Sequence, residues 1–133
     1  ELRYLCERKT GALLRAPVLA AAAVAGAEET RSAALLLEYA DTIGLAFQIK
    51  DDILDVEGDI SVLGKATGSD AKDGKTTFVT LYGIQRSKTL LEDLTNRALA
   101  ACDRLISLQA SAQAQDACVF LKELALFLLE RTY

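Results

Sequence analysis

Gly44-Leu45-Ala46-Phe47-Gln48-Ile49-Lys50-Asp51-Asp52-Ile53-Leu54-Asp55 is the stretch on which the reading of the chain turns. At about 100° per residue, an α-helix gathers Gln48, Asp51, Asp52 and Asp55 into an arc of roughly 100°. Ile43, Phe47, Ile49, Ile53, Leu54 and Val56 fill most of the remaining circumference, with Lys50 opposite the acidic stripe. Three carboxylates on one face of an apolar helix repel one another and resist desolvation. Two readings stay open from spacing alone. Either the stripe is the solvated face of an amphipathic helix, or a cation lies against it. Hard oxygen ligands then select Mg²⁺ or Ca²⁺ over a softer ion.

The bulk composition narrows the field. The chain has 133 residues, of which 51% are hydrophobic and 26% charged, enough for one domain with a real core. A net charge of −4, with no dense Lys/Arg stripe, argues against nucleic acid as the main partner. Cys6, Cys102 and Cys118 are odd in number and widely spaced, which reads as reduced thiols in a cytoplasmic protein. The absence of histidine removes Ser-His-Asp and Cys-His mechanisms and the usual zinc hydrolases. The apolar run from Ala16 to Ala27 contains Pro17 and is too short for a bilayer, so no membrane partner is expected. There is no methionine, which suggests part of a longer protein, although removal of an initiator Met gives the same start.

Along the chain, residues 1–25 read as helix with a kink near residues 13–17, where Pro17 removes the bond to the Leu13 carbonyl. Gly26 is the expected C-terminal cap. A second helix is expected from about 28 to 57, with Glu28 and Glu29 in its first turn, apolar on several faces and ended by Gly58. Residues 58–75 form a glycine-rich loop, long for a compact domain and therefore functional or mobile. Helix resumes at Thr76 and breaks at Gly83. A further helix covers roughly 85–107, its buried side marked by Leu90, Leu91, Leu94, Leu99 and Leu105. Ser111 caps a last helix through Arg131, with Val119, Phe120, Leu121, Leu124, Phe127 and Leu128 as its apolar stripe. No strand alternation, hairpin dipeptide or internal repeat is visible. The expected fold is all-α, a single region over 1–133.

Two motifs come close and fail. Gly74-Lys75-Thr76 ends like a P-loop, but five residues instead of four separate Gly68 from Gly74, and no strand precedes it. Ser69 to Gly74 suggests an EF-hand, but Ala71 fills a ligand position and Thr80 stands where Glu is needed. What remains is an acidic stripe with a few lysines: Lys9 on the first helix, Lys65 and Lys75 on the loop. Carboxylates, Mg²⁺ and lysines together are the usual means of holding a polyphosphate, because Mg²⁺ takes few carboxylates and keeps phosphate ligands. Each lysine alone is more often an ordinary surface lysine, since most lysines are exposed.

In the chain's own order, Lys9-Thr10-Gly11-Ala12-Leu13, Phe47-Gln48-Ile49-Lys50-Asp51-Asp52-Ile53-Leu54-Asp55, Gly58-Asp59, Leu63-Gly64-Lys65 and Asp73-Gly74-Lys75 resemble the trans-isoprenyl diphosphate synthases. The resemblance is to their C-terminal half, and Ile43 to Gln48 looks most like the bacterial short-chain members. It implies an isoprenoid-synthase helical bundle and a prenyltransferase that joins an allylic diphosphate to isopentenyl diphosphate. Asp51 and Asp55 are implied ligands of Mg²⁺, with Asp52 an outer-shell or alternate ligand. Lys9, Lys65 and Lys75 are implied diphosphate contacts, Lys75 the least secure because loop length varies. Thr10 and Gln48 are implied to turn oxygen dipoles towards the allylic cation. The apolar sides of the first and last helices are expected to wall the site from water.

The family's first aspartate-rich motif, its neighbouring arginine and its homoallylic-substrate residues belong to an N-terminal half that this chain does not contain. The resemblance therefore implies half a site, no turnover by this chain alone, and a homodimer once complete. Other readings are a long-chain polyprenyl synthase, a terpene cyclase half, or a non-catalytic helical partner subunit. Cyclases usually carry an Asn/Ser/Glu triad in place of Asp-Asp-x-x-Asp, which disfavours them.

Overall fold

A computed structural model describes residues 1–57 and 74–131. Among these residues the chain is all-α, with no strand. α1 spans Leu2–Cys6 and passes through a π-helical turn, Glu7–Gly11, into α2, Ala12–Val24. α3, Arg31–Glu57, is followed by α4, Phe78–Tyr82, α5, Ile84–Leu108, and α6, Ala112–Glu130. None of these helices is long and apolar enough to cross a membrane. The expected glycine-rich loop, including Gly58 and Lys65, lies outside the described residues up to position 73.

α3 is the centre. It carries apolar residues on several sides because α2, α5 and α6 all pack on it. Leu45, Ala46, Ile49 and Ile53 meet Leu91 and Leu94 of α5, Phe78 of α4 and Cys6 of α1. Further along, Tyr39 and Ile43 meet Ala98, Ala101 and Cys102 of α5 and Ala125 of α6. Those small side chains let the helix axes approach closely, and the Tyr39 hydroxyl donates to the Leu121 carbonyl at 2.7 Å. At the far end Leu35, Leu105 and Cys118 close the core. On the surface, Arg15 reaches both oxygens of Asp41 at 3.0 and 2.7 Å and fastens α2 to α3.

The structure revises several boundaries. The distortion expected at 13–17 lies one turn earlier, in the π-helical turn, while Pro17 sits inside α2. Pro17 and Leu13, its lost acceptor, are both exposed, so water can replace the missing bond. α3 begins at Arg31, not 28: the Thr30 hydroxyl accepts the Ala33 N–H at 3.1 Å, leaving Glu28 and Glu29 in the turn before it. Gly26 takes φ +60 and Gly83 φ +79, as expected for a cap and a break. The Ser111 hydroxyl accepts the Ala114 N–H at 3.2 Å and caps α6.

The α6 stripe is broader than its contact. Cys118, Leu121, Ala125 and Leu128 face the core, whereas Phe120 and Phe127 are 62% and 56% exposed. Likewise α2 has no fully buried residue.

Candidate functional site

Gly44 decides where the first helix meets the acidic stretch. A Cβ there would stand 3.1 Å from the Gly11 Cα, tighter than most Cβ contacts, so the π-helical turn crosses α3 closely at this glycine. Gly44 shares its helix arc with Gln48, Asp51 and Asp55, at i+4, i+7 and i+11. Lys9, exposed, and Thr10, half-buried, are the two residues before Gly11 on that turn. A π-helical turn adds one residue to a helix and re-aims those around it, a device frequent at functional sites.

The three aspartates have different surroundings. Asp52 is 3% exposed, and its Oδ1 accepts from Gln48 Nε2 at 3.0 Å. Its Oδ2 accepts the backbone N–H of Phe78 at 2.7 Å. That N–H is the first of α4, one of the donors a helix leaves without an internal partner. Thr77 and Thr80 complete the start of α4 by exchanging side-chain and backbone bonds at 3.1 and 2.8 Å. Asp52 thus anchors the chain where it returns from the glycine-rich segment. With Gln48 Nε2 held by Asp52, the Gln48 carbonyl oxygen is turned away from that carboxylate.

The same anchor locates Lys75. Lys75 stands three positions before Phe78, so its Cα lies within about 11 Å of the Phe78 Cα. Lys75 is exposed and follows Gly74, which takes φ +66.

Asp55 is 3% exposed. Asp51 is the accessible member, its side chain 42% exposed, and it is paired with Arg131. Arg131 Nη2 bonds Asp51 Oδ1 and also donates to the Phe47 carbonyl at 3.2 Å, while its guanidinium lies 3.9 Å from the Phe47 ring centroid. A positive group does lie against the acidic face, and it is a protein side chain. Sequence reading missed it. Its only trace was a basic residue at the end of the α6 stripe, and nothing in that spacing shows which helix it meets.

The neighbouring Lys50 feels this charge. Burial first, then Arg131 and Lys88, hold its ammonium pKa below the ordinary lysine value. Among the described residues, no three acidic or thiol side chains converge into a metal cage. Asp51 and Asp52 lie about 100° apart around α3 and meet different partners. The three cysteines are buried and none is in a disulfide, and burial raises the Cys102 pKa to about 11 and that of Cys118 in the same direction. Neither Cys102 nor Cys118 has the environment of a nucleophile. Two larger grooves, one beside Arg15, Asp41 and Thr42 and one beside Tyr82, Arg86 and Asp93, lie away from the acidic stripe.

Residues 1–110 match the sequence profile of the Polyprenyl synthetase family. The chain is 40% identical over 116 residues to a farnesyl diphosphate synthase of Escherichia coli, covering 87% of this chain and 39% of that relative. It is 46% identical over 95 residues to a short chain isoprenyl diphosphate synthase of Methanocaldococcus jannaschii, covering 71% and 28%. A geranylgeranyl diphosphate synthase of Cyanophora paradoxa is 43% identical over 97 residues, covering 73% and 32%. The chain spans well under half the length of these curated relatives. The chain belongs to the polyprenyl synthetase family.

Proposed function

We propose that this chain forms the diphosphate-ionising wall of a prenyltransferase that joins an allylic diphosphate to isopentenyl diphosphate. The reading is supported above all by the Gly11–Gly44 crossing: Lys9 and Thr10 belong to the turn that meets α3 at Gly44, one helical turn before Gln48. The names of the relatives, farnesyl and geranylgeranyl diphosphate synthases, favour a short-chain product.

The donor set suits Mg²⁺. Asp51 and Asp55 stand one turn apart and carry hard oxygens, although Arg131 holds Asp51 and would have to yield it to a metal. When bound, Mg²⁺ would neutralise the charge that grows on the departing diphosphate. Lys9, Lys65 and Lys75 bind that diphosphate; Lys75 stands three positions before Phe78, whose N–H is bound by Asp52 of α3. The Thr10 hydroxyl and the Gln48 carbonyl present fixed dipoles to the allylic cation, effective because they need no reorganisation as charge develops. Asp52 positions the others instead of binding the metal directly. No side chain has to act as a nucleophile, in keeping with the buried cysteines.

The first aspartate-rich motif and the isopentenyl diphosphate site come from a partner segment of the same synthase, which works as a homodimer in the cytoplasm. The 133-residue chain therefore binds inorganic pyrophosphate in the presence of Mg²⁺ but elongates no allylic substrate. Calorimetric titration with pyrophosphate, with Mg²⁺ and with EDTA, tests this. Magnesium-dependent binding supports the reading, and binding indifferent to Mg²⁺, or none, contradicts it.

A further inference from the structure

We infer that Arg131 is a displaceable counter-ion: it holds Asp51 while the divalent cation is absent and gives it up when the cation binds. The inference rests on the proposed role of Asp51 as a metal ligand, and adds to it a link between metal loading and the docking of the α6 end.

Three observations carry it. Arg131 and a cation would claim the same Asp51 oxygen, since Nη2 bonds Oδ1 directly. Two positive charges cannot share that carboxylate at contact distance without strong repulsion. Next, the docked arginine is poorly satisfied: its side chain is 11% exposed, yet its buried Nε–H has no hydrogen-bond acceptor among the described residues. A buried donor without a partner weakens the docked state and makes it easier to leave. Finally, Arg131 has already left the helix, with ψ 143, while its own N–H still donates to the Phe127 carbonyl at 3.0 Å. Rotation of one side chain beyond the last turn releases it, and α6 need not move. The stacking on Phe47 and the bond to the Phe47 carbonyl define the docked state, so the aromatic residue preceding Gln48 serves as the latch plate.

Coupling of this kind is reciprocal. If the cation expels Arg131, removal of Arg131 strengthens cation binding by the same factor. The test is amide NMR of the 133-residue chain titrated with Mn²⁺, which broadens signals near its binding site even when binding is weak. A parallel Mg²⁺ titration follows the Arg131 Nε–H signal. The expected result is broadening centred on residues 48–55, about tenfold tighter in R131Q than in the parent. In the parent, Mg²⁺ moves the Arg131 Nε–H signal to a solvent-exposed position. R131K, which keeps the charge but cannot fork or stack, falls between. Equal affinity in parent and R131Q with an unmoved Arg131 signal overturns the latch and leaves the metal reading standing. No broadening near Asp51 in any variant overturns both.

Discussion

The Asp52 carboxylate accepts the Phe78 backbone N–H at 2.7 Å across twenty-six residues of chain, and this bond joins the acidic helix to the segment that returns from the glycine-rich stretch. A carboxylate of the acidic stripe is here the cap of another helix. Its oxygens are taken by Phe78 and Gln48, and it is almost wholly buried.

Asp52→Ala should therefore lower stability by about 2–3 kcal/mol, the cost of losing a charged cap and leaving a buried N–H unpaired. Asp52→Asn keeps one acceptor and should lose less. Urea unfolding midpoints check both. Unchanged stability in Asp52→Ala would mean that Asp52 does not anchor α4.

Gly44→Ala should destabilise the chain by about 1 kcal/mol or more, although alanine normally gains about that much over glycine inside a helix. The added Cβ meets the Gly11 backbone at 3.1 Å, and backbone cannot swing aside as a flexible side chain can. Thermal unfolding measures the sign, and a gain in stability would show that the crossing is not tight. In a complete synthase carrying this sequence, the same change should lower turnover by shifting Lys9 and Thr10.

The acidic stretch shows how far sequence reading reaches. Its helical period, the caps at Gly26 and Ser111 and the break at Gly83 are local properties of nearby residues, and each was legible. The π-helical turn was not, because its site is set by Gly11 meeting Gly44, thirty-three positions along the chain. Asp52 and Asp51 look alike in the motif and part company only through Phe78 and Arg131, which are distant in sequence. Phe120 and Phe127 read as core because apolar spacing reports what a helix could bury, not what packs against it.

Alkaline pH should weaken the fold. Burial, with Cys118 and Asp103 adding to it, raises the Cys102 pKa from 9.0 to about 11, and burial also raises that of Tyr39. For such groups the native state holds more protons than the unfolded chain, so stability is intact below the unfolded pKa and falls as pH rises from about 9 to 11. Lys50, with its lowered pKa, acts in the opposite sense, but it is partly solvated and its effect is small. Cys102→Ala should flatten this fall, whatever it does to stability at neutral pH. Urea midpoints across that range decide it. An identical slope in the variant would contradict the assignment.

The central claim is that Asp51 carries metal-assisted ionisation of an allylic diphosphate. The direct measurement is steady-state turnover of Asp51→Ala in a complete synthase carrying this sequence, with isopentenyl and allylic diphosphates and saturating Mg²⁺. Far-ultraviolet circular dichroism confirms retained helix. The account predicts a fall in turnover of several orders of magnitude, about the scale on which loss of a major electrostatic stabiliser acts, with helicity unchanged. Near-normal turnover in a folded Asp51→Ala enzyme would contradict it.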